Sequence, residues 1–131
     1  MADAERLKRL RDVCARESLA DGGRAVTFEI QRAGRAVAAF AYAFKGEVHA
    51  AVNVCPHRGT PLDWQPGEVF DESGIYLICA THGALFEPDS GLCIAGPCGG
   101  ASLQKLPVRV IEGRVELTID HRAIPGELDP K

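Results

Sequence analysis

The chain is cut into short apolar runs by dipeptides ending in glycine, and that punctuation restricts it to a fold made of hairpins. Ala33-Gly34, Lys45-Gly46 and Glu112-Gly113 each stand between two runs rich in β-branched and aromatic residues. Such a dipeptide supplies the two left-handed positions of a tight hairpin turn, whose twist matches that of the flanking strands. RAVTFEIQR (24–32), RAVAAFAYAF (35–44) and EVHAAVNV (47–54) therefore read as a three-strand meander, and LPVRVIEG (106–113) with RVELTID (114–120) as a closing hairpin. Further short strands are expected at GIYLICA (74–80), ALFEP (84–88) and GLCIA (91–95). Many short strands with Gly and Pro between them predict an all-β domain. One helix is expected: residues 3–19 are good helix formers with Leu7, Leu10, Val13 and Cys14 at helical spacing, leading into the turn DGG at 21–23. Residues 1–22 are accordingly read as helix and turn, and 121–131 as a flexible tail.

Length and charge narrow the function. A chain of 131 residues is read as one domain with one core. A net charge of −3 offers no electrostatic footprint for nucleic acid or anionic lipid, so neither nucleic acid nor membrane is an expected partner. The longest apolar-rich run, Ala36 to Phe44, is shorter than the roughly 20 residues that cross a bilayer. MADAERLKRLRDVC carries charges where a signal peptide would be apolar, and a cytoplasmic location is expected. Five cysteines without a secretion signal suggest metal or redox use over a disulfide framework.

Four residues carry that use. Cys55 and His57 lie in NVCPHRGTPL (53–62), and Cys79 and His82 in CATHGALF (79–86). Each pair is a cysteine at the end of an apolar run, a histidine two or three residues later and a glycine just behind. Two thiolates and two imidazoles suit a tetrahedral zinc ion. They equally suit a 2Fe-2S cluster of mixed ligation, in which each loop gives its cysteine to one iron and its histidine to the other. Two-Cys, two-His zinc fingers present their histidines from a helix, whereas Gly59, Pro61, Gly83 and Pro88 oppose helices here.

CPHRG and CATHG resemble the two cluster-binding boxes of the Rieske iron-sulfur family, and the likeness runs from about Arg24 to Thr118. ALFEPDSGLCIAGP resembles the segment after the second box in ferredoxin-type members, and LPVRVIEGRVEL their closing hairpin. The resemblance implies a Rieske-like antiparallel β sandwich with a smaller cluster-binding β subdomain over 53–100. It also implies one 2Fe-2S cluster per chain, held by Cys55, His57, Cys79 and His82. Gly96-Pro97 matches the family's proline loop over the cluster. Gly59 and Gly83 would let backbone N–H groups approach cluster sulfur, beside an ordinary role in turns. Arg58 would steer an acidic partner, beside an ordinary role as a solvated arginine.

Two thiolates and two neutral imidazoles leave the oxidised site formally neutral, whereas four thiolates leave it doubly negative. An electron is added more easily to the neutral site, which raises the potential. An imidazole on ferric iron loses its second ring proton more readily than one on ferrous iron, so reduction is expected to depend on pH. High-potential respiratory members carry a further cysteine in each box, whereas Thr60 and Ala80 flank the ligands here, and Phe86 stands where a tyrosine could donate to the cluster. A potential toward the negative end of the roughly −150 to +300 mV range is expected. Cys93 and Cys98, astride Gly96-Pro97, read as reduced thiols in preference to a local disulfide, and a four-cysteine cluster from Cys55, Cys79, Cys93 and Cys98 is an outside alternative. Cys14 reads as core, His49 and His121 as surface residues, and Trp64 as a partly buried aromatic.

A Rieske oxygenase subunit adds a second domain with a mononuclear iron, for which 131 residues leave no room. The expected function is a one-electron carrier and no enzyme in itself: the ferredoxin component between a flavin reductase as donor and a terminal oxygenase or other redox enzyme as acceptor. The alternatives are a small Rieske subunit of a larger redox enzyme, of nitrite-reductase type, and a zinc-stabilised binding module.

Overall fold

A computed structural model describes residues 8–32, 34–56, 61–63, 65–79, 83–96 and 101–120. Ten strands make up nearly all the regular structure: β1 (Lys8–Ala15), β2 (Val26–Arg32), β3 (Arg35–Phe44), β4 (Glu47–Val52), β5 (Leu77–Ile78), β6 (Leu85–Phe86), β7 (Cys93–Ala95), β8 (Lys105–Leu106), β9 (Val108–Ile111) and β10 (Arg114–Asp120). They form three sheets of order β1-β10-β9, β2-β3-β4-β8 and β5-β6-β7, every ladder antiparallel. The architecture is all-β, as expected.

The turns explain the hairpins. Among the described residues Lys45 and Glu112 are the non-glycine residues with positive φ, 51° each, and Gly46 and Gly113 follow at 82° and 78°. These are the successive left-handed positions a two-residue hairpin loop requires.

The expected N-terminal helix is not formed. Residues 8–15 are strand β1, paired with β10, and the only helical element among the described residues is a single 3₁₀ turn at Arg16–Ser18; residues 3–7 lie outside the described residues. A β-bulge is the reason. The β1–β10 register shifts between Asp12 and Cys14, so that Val13 is an extra residue on β1, and Val13 and Cys14 both pack on the core. Two adjacent apolar residues after a gap of three look helical in sequence, and a bulge produces the same pattern.

Strand β3 determines the layering. Residues 39–43 are all buried, yet they belong to two cores. Ala39, Ala41 and Ala43 join Ala50 and Val52 of β4 and Val115 and Leu117 of β10 in one cluster. Phe40 and Tyr42 join Ala51, Leu62, Leu77, Phe86, Cys55 and Cys79 in the other. Because successive side chains of a strand point to opposite faces, the alternation A-F-A-Y-A sends alanines to one side of the central sheet and aromatic rings to the other. The alanine face carries the β1-β10-β9 sheet, and the aromatic face carries the small β5-β6-β7 sheet with the cysteines of both boxes.

The small sheet is tied to the central one by polar contacts at the turn between β6 and β7. The Tyr42 hydroxyl donates to the Pro88 carbonyl at 2.5 Å, and Lys105 Nζ donates to the Asp89 carbonyl at 2.8 Å. Tyr42 is buried, and burial, with Asp89 nearby, pushes its phenol well above the usual range, so it stays a donor. Among the described residues no helix is long and apolar enough to cross a membrane.

Candidate cluster-binding site

The first box leaves the end of β4. Asn53 N–H donates to the Ala38 carbonyl at 2.9 Å, which holds the strand end against β3. Cys55, two residues on, is fully buried and outside any disulfide. The chain returns at Leu62, also fully buried, and Asp63. The return is held by side chains: Leu62 N–H donates to Asn53 Oδ1 at 2.7 Å, and Asn53 Nδ2 donates to Asp63 Oδ1 at 2.8 Å.

The second box sits in the β5–β6 hairpin. Cys79, fully buried and a free thiol, follows β5 directly. Its N–H donates to the Ala84 carbonyl at 2.9 Å, and its own carbonyl accepts from Gly83 N–H at 2.7 Å. Gly83 has φ +74°, and a Cβ placed there would meet nothing within 4 Å, so the turn geometry and not crowding calls for glycine. Gly96, after β7, is the reverse case. At φ +99° a Cβ would lie 2.8 Å from Ala84 Cα, which brings the start of the Gly-Pro loop into backbone contact with the second box.

Cys55 and Cys79 thus share one apolar core with Leu62, Leu77, Ala84, Phe86 and Cys93. His57, Arg58, Gly59, His82 and Pro97 lie outside the described residues, as do Thr60, Trp64, Ala80, Cys98 and His121. Leu62 and Phe86 are fully buried in that same core. The donor chemistry fits a thiolate-bound iron centre: two cysteines outside any disulfide and without solvent exposure, each leading into a loop that carries a histidine in the sequence.

Cys93 departs from its expectation. It is disulfide-bonded and 3% exposed, not a reduced thiol. A cysteine engaged in this way is no thiolate ligand, which removes the four-cysteine alternative. His49 departs too, since its side chain is only 12% exposed. It stacks on Tyr42 with ring centroids 5.3 Å apart, and its Nδ1 lies 3.1 Å from Lys105 Nζ. Burial first, and then the Lys105 charge, lower its pKa, so the ring is neutral at pH 7 and Nδ1 accepts from the ammonium. Two residues that shape the site, Asn53 and Asp63, carry no motif that marks them in the sequence. The one signal is a lone amide inside the apolar run AAVNVC.

Two buried cysteines, one after β4 of the central sheet and one in the β5–β6 hairpin of the small sheet, meet in one core, an arrangement that suits a metal-cluster module. The chain belongs to the Rieske [2Fe-2S] domain family, whose model matches residues 10–111. Its cofactor is therefore a 2Fe-2S cluster, and the zinc reading falls. The fold is similar to that of the Sphingomonas yanoikuyae B1 ferredoxin, with TM-score 0.63 and 25% identity over 86% of this chain and 98% of that one. A chain in the structure of the complex of reduced oxygenase and oxidized ferredoxin in carbazole 1,9a-dioxygenase is similar in fold at TM-score 0.65 and 23% identity, over 93% of this chain and 97% of that one. The terminal oxygenase of carbazole 1,9a-dioxygenase from Novosphingobium sp. KA1 shares the fold at TM-score 0.65 and 24% identity, over 94% of this chain but 31% of that one. Among curated proteins none matches the sequence. Family and fold together make this chain a Rieske electron carrier.

Proposed function

We propose that the chain is the ferredoxin component of a multicomponent oxygenase system, taking one electron from a flavin reductase and delivering it to a terminal oxygenase. One observation carries the reading. Cys55 and Cys79 are outside any disulfide, fully buried and in one core, within a fold whose match takes in 98% of a ferredoxin chain. In this reading Cys55 and Cys79 hold one iron of a single cluster, and His57 and His82 the other. When bound, the cluster takes up and releases one electron.

The protein's own residues shape that chemistry. Leu62, Ala84 and Phe86 wall the thiols from water. Phe86 brings no hydroxyl, and fewer hydrogen bonds to cluster sulfur leave the reduced state less stabilised, which favours a low potential. In this reading the amide of Gly59 would approach cluster sulfur and Gly96-Pro97 would cover the cluster, whereas the Gly83 amide is engaged by the Cys79 carbonyl. Docking is transient, through a small surface at the His57 and His82 edge, with Arg58 toward an acidic partner. Iron analysis, reduced-state EPR and a redox titration test the reading. A brown protein with about two irons per chain and a midpoint toward the negative end of the roughly −150 to +300 mV range is expected. A midpoint above about +150 mV would sink the ferredoxin assignment. Turnover of an oxygenase with a flavin reductase, dependent on this protein, tests the partners.

A further inference from the structure

Besides the Tyr42 phenol, Asn53 carries the one buried polar or charged side chain among the described residues, at 5% exposed. An amide in an apolar core is costly unless its polar atoms are paired. Both ends of this amide are paired, and both point to the far side of the first ligand loop. Oδ1 accepts from Leu62 N–H, Nδ2 donates to Asp63 Oδ1, and Asp63 Oδ2 in turn accepts from Gly67 N–H at 3.0 Å. The residue itself is anchored by its own N–H on the Ala38 carbonyl of β3. A rigid strand end therefore grips the return of a loop whose eight intervening residues, 54–61, include Cys55 and His57.

We propose that Asn53 is a positioning residue: with Asp63 it closes the first ligand loop before iron arrives, so that Cys55 is presented in its binding geometry. The proposal rests on the reading of Cys55 as a ligand. Pre-organisation of this kind acts on how long the metal stays and on the geometry around it.

The bond between the two side chains can be broken and rebuilt. Asn53→Asp removes the donor and sets two carboxylates against each other, while keeping an acceptor for Leu62 N–H. Adding Asp63→Asn restores one donor and one acceptor with the polarity reversed, and leaves an acceptor for Gly67 N–H. Iron release to a chelator and the reduced-state EPR g values are measured on the purified protein. N53D is expected to release iron about tenfold faster or more, with shifted g values, and N53D/D63N to return to within about threefold of the parent. General loss of stability would speed release without moving the g values of the protein still loaded. Parent-like release and g values in N53D would overturn the proposal, as would failure of the double variant to recover. If N53D does not fold, recovery in N53D/D63N still supports the pairing, and its absence overturns it. A parent protein without iron would overturn the ligand reading first, and iron analysis before any substitution tells the two failures apart.

Discussion

The two boxes carry similar sequences and are closed by different means. The second is short enough for backbone alone: Cys79 and Ala84 continue the β5–β6 ladder, and Gly83 makes the turn at φ +74°. The first spans from Asn53 to Leu62, too wide for a hairpin ladder, and a buried side-chain amide bridges the gap. A tight loop needs only a glycine with the right φ, whereas a wide loop needs a polar group carried into the core and fully paired there. The small sheet inherits its rigidity from the same logic, with Tyr42 and Lys105 reaching backbone carbonyls of its far turn.

Removing either thiol tests whether the loops are equal partners. Cys55→Ser and Cys79→Ser are each expected to abolish the visible spectrum, measured as absorbance per chain. Retention in either would make the boxes unequal. The next effect in size falls on the second box alone. Gly96→Ala forces a Cβ to 2.8 Å from Ala84 Cα at φ +99°, and a loss of about 2–4 kcal/mol in denaturant unfolding is expected. Gly83→Ala, with open space at φ +74°, should cost only about 1 kcal/mol in the same assay. An equal cost at the two glycines would show that close approach to Ala84 does not matter. Tyr42→Phe leaves the Pro88 carbonyl without its donor and is expected to cost about 1–2 kcal/mol.

A weaker effect is expected in pH. His49 has its pKa lowered in the folded protein, so the unfolded chain binds more protons once the pH falls below the unfolded value near 6.5. Its contribution is thus present above about pH 6.5 and is lost as the pH drops below it. Lys105, Glu47, Asp89 and Tyr42 are the groups facing the ring. A His49→Gln variant should lose less stability between pH 7 and 5.5 than the parent in thermal melts. Equal slopes would mean that His49 titrates as if exposed.

Local rules make some parts of this protein legible in the order of its residues. Strand β3 spans Arg35–Phe44, the run read from the sequence, because alternation and the flanking left-handed turns are properties of neighbouring residues. Cys55 and Cys79 can be paired in thought because each box carries its own pattern. The N-terminus misleads for an equally local reason: a bulge that turns Val13 and Cys14 to the same core imitates helical spacing. His49 reads as a surface residue because nothing in its neighbours announces that Tyr42 stacks on it and Lys105 reaches it from β8.

The all-β class, the hairpin turns and the two cysteines of the boxes are written in the chain itself, since each depends on residues a few positions apart. Three features exist only once the chain has folded: β3 serves two cores at once, Cys93 is disulfide-bonded, and Asn53 closes the first loop. These depend on which distant groups share a buried volume. Such groups must satisfy one another because water cannot reach them.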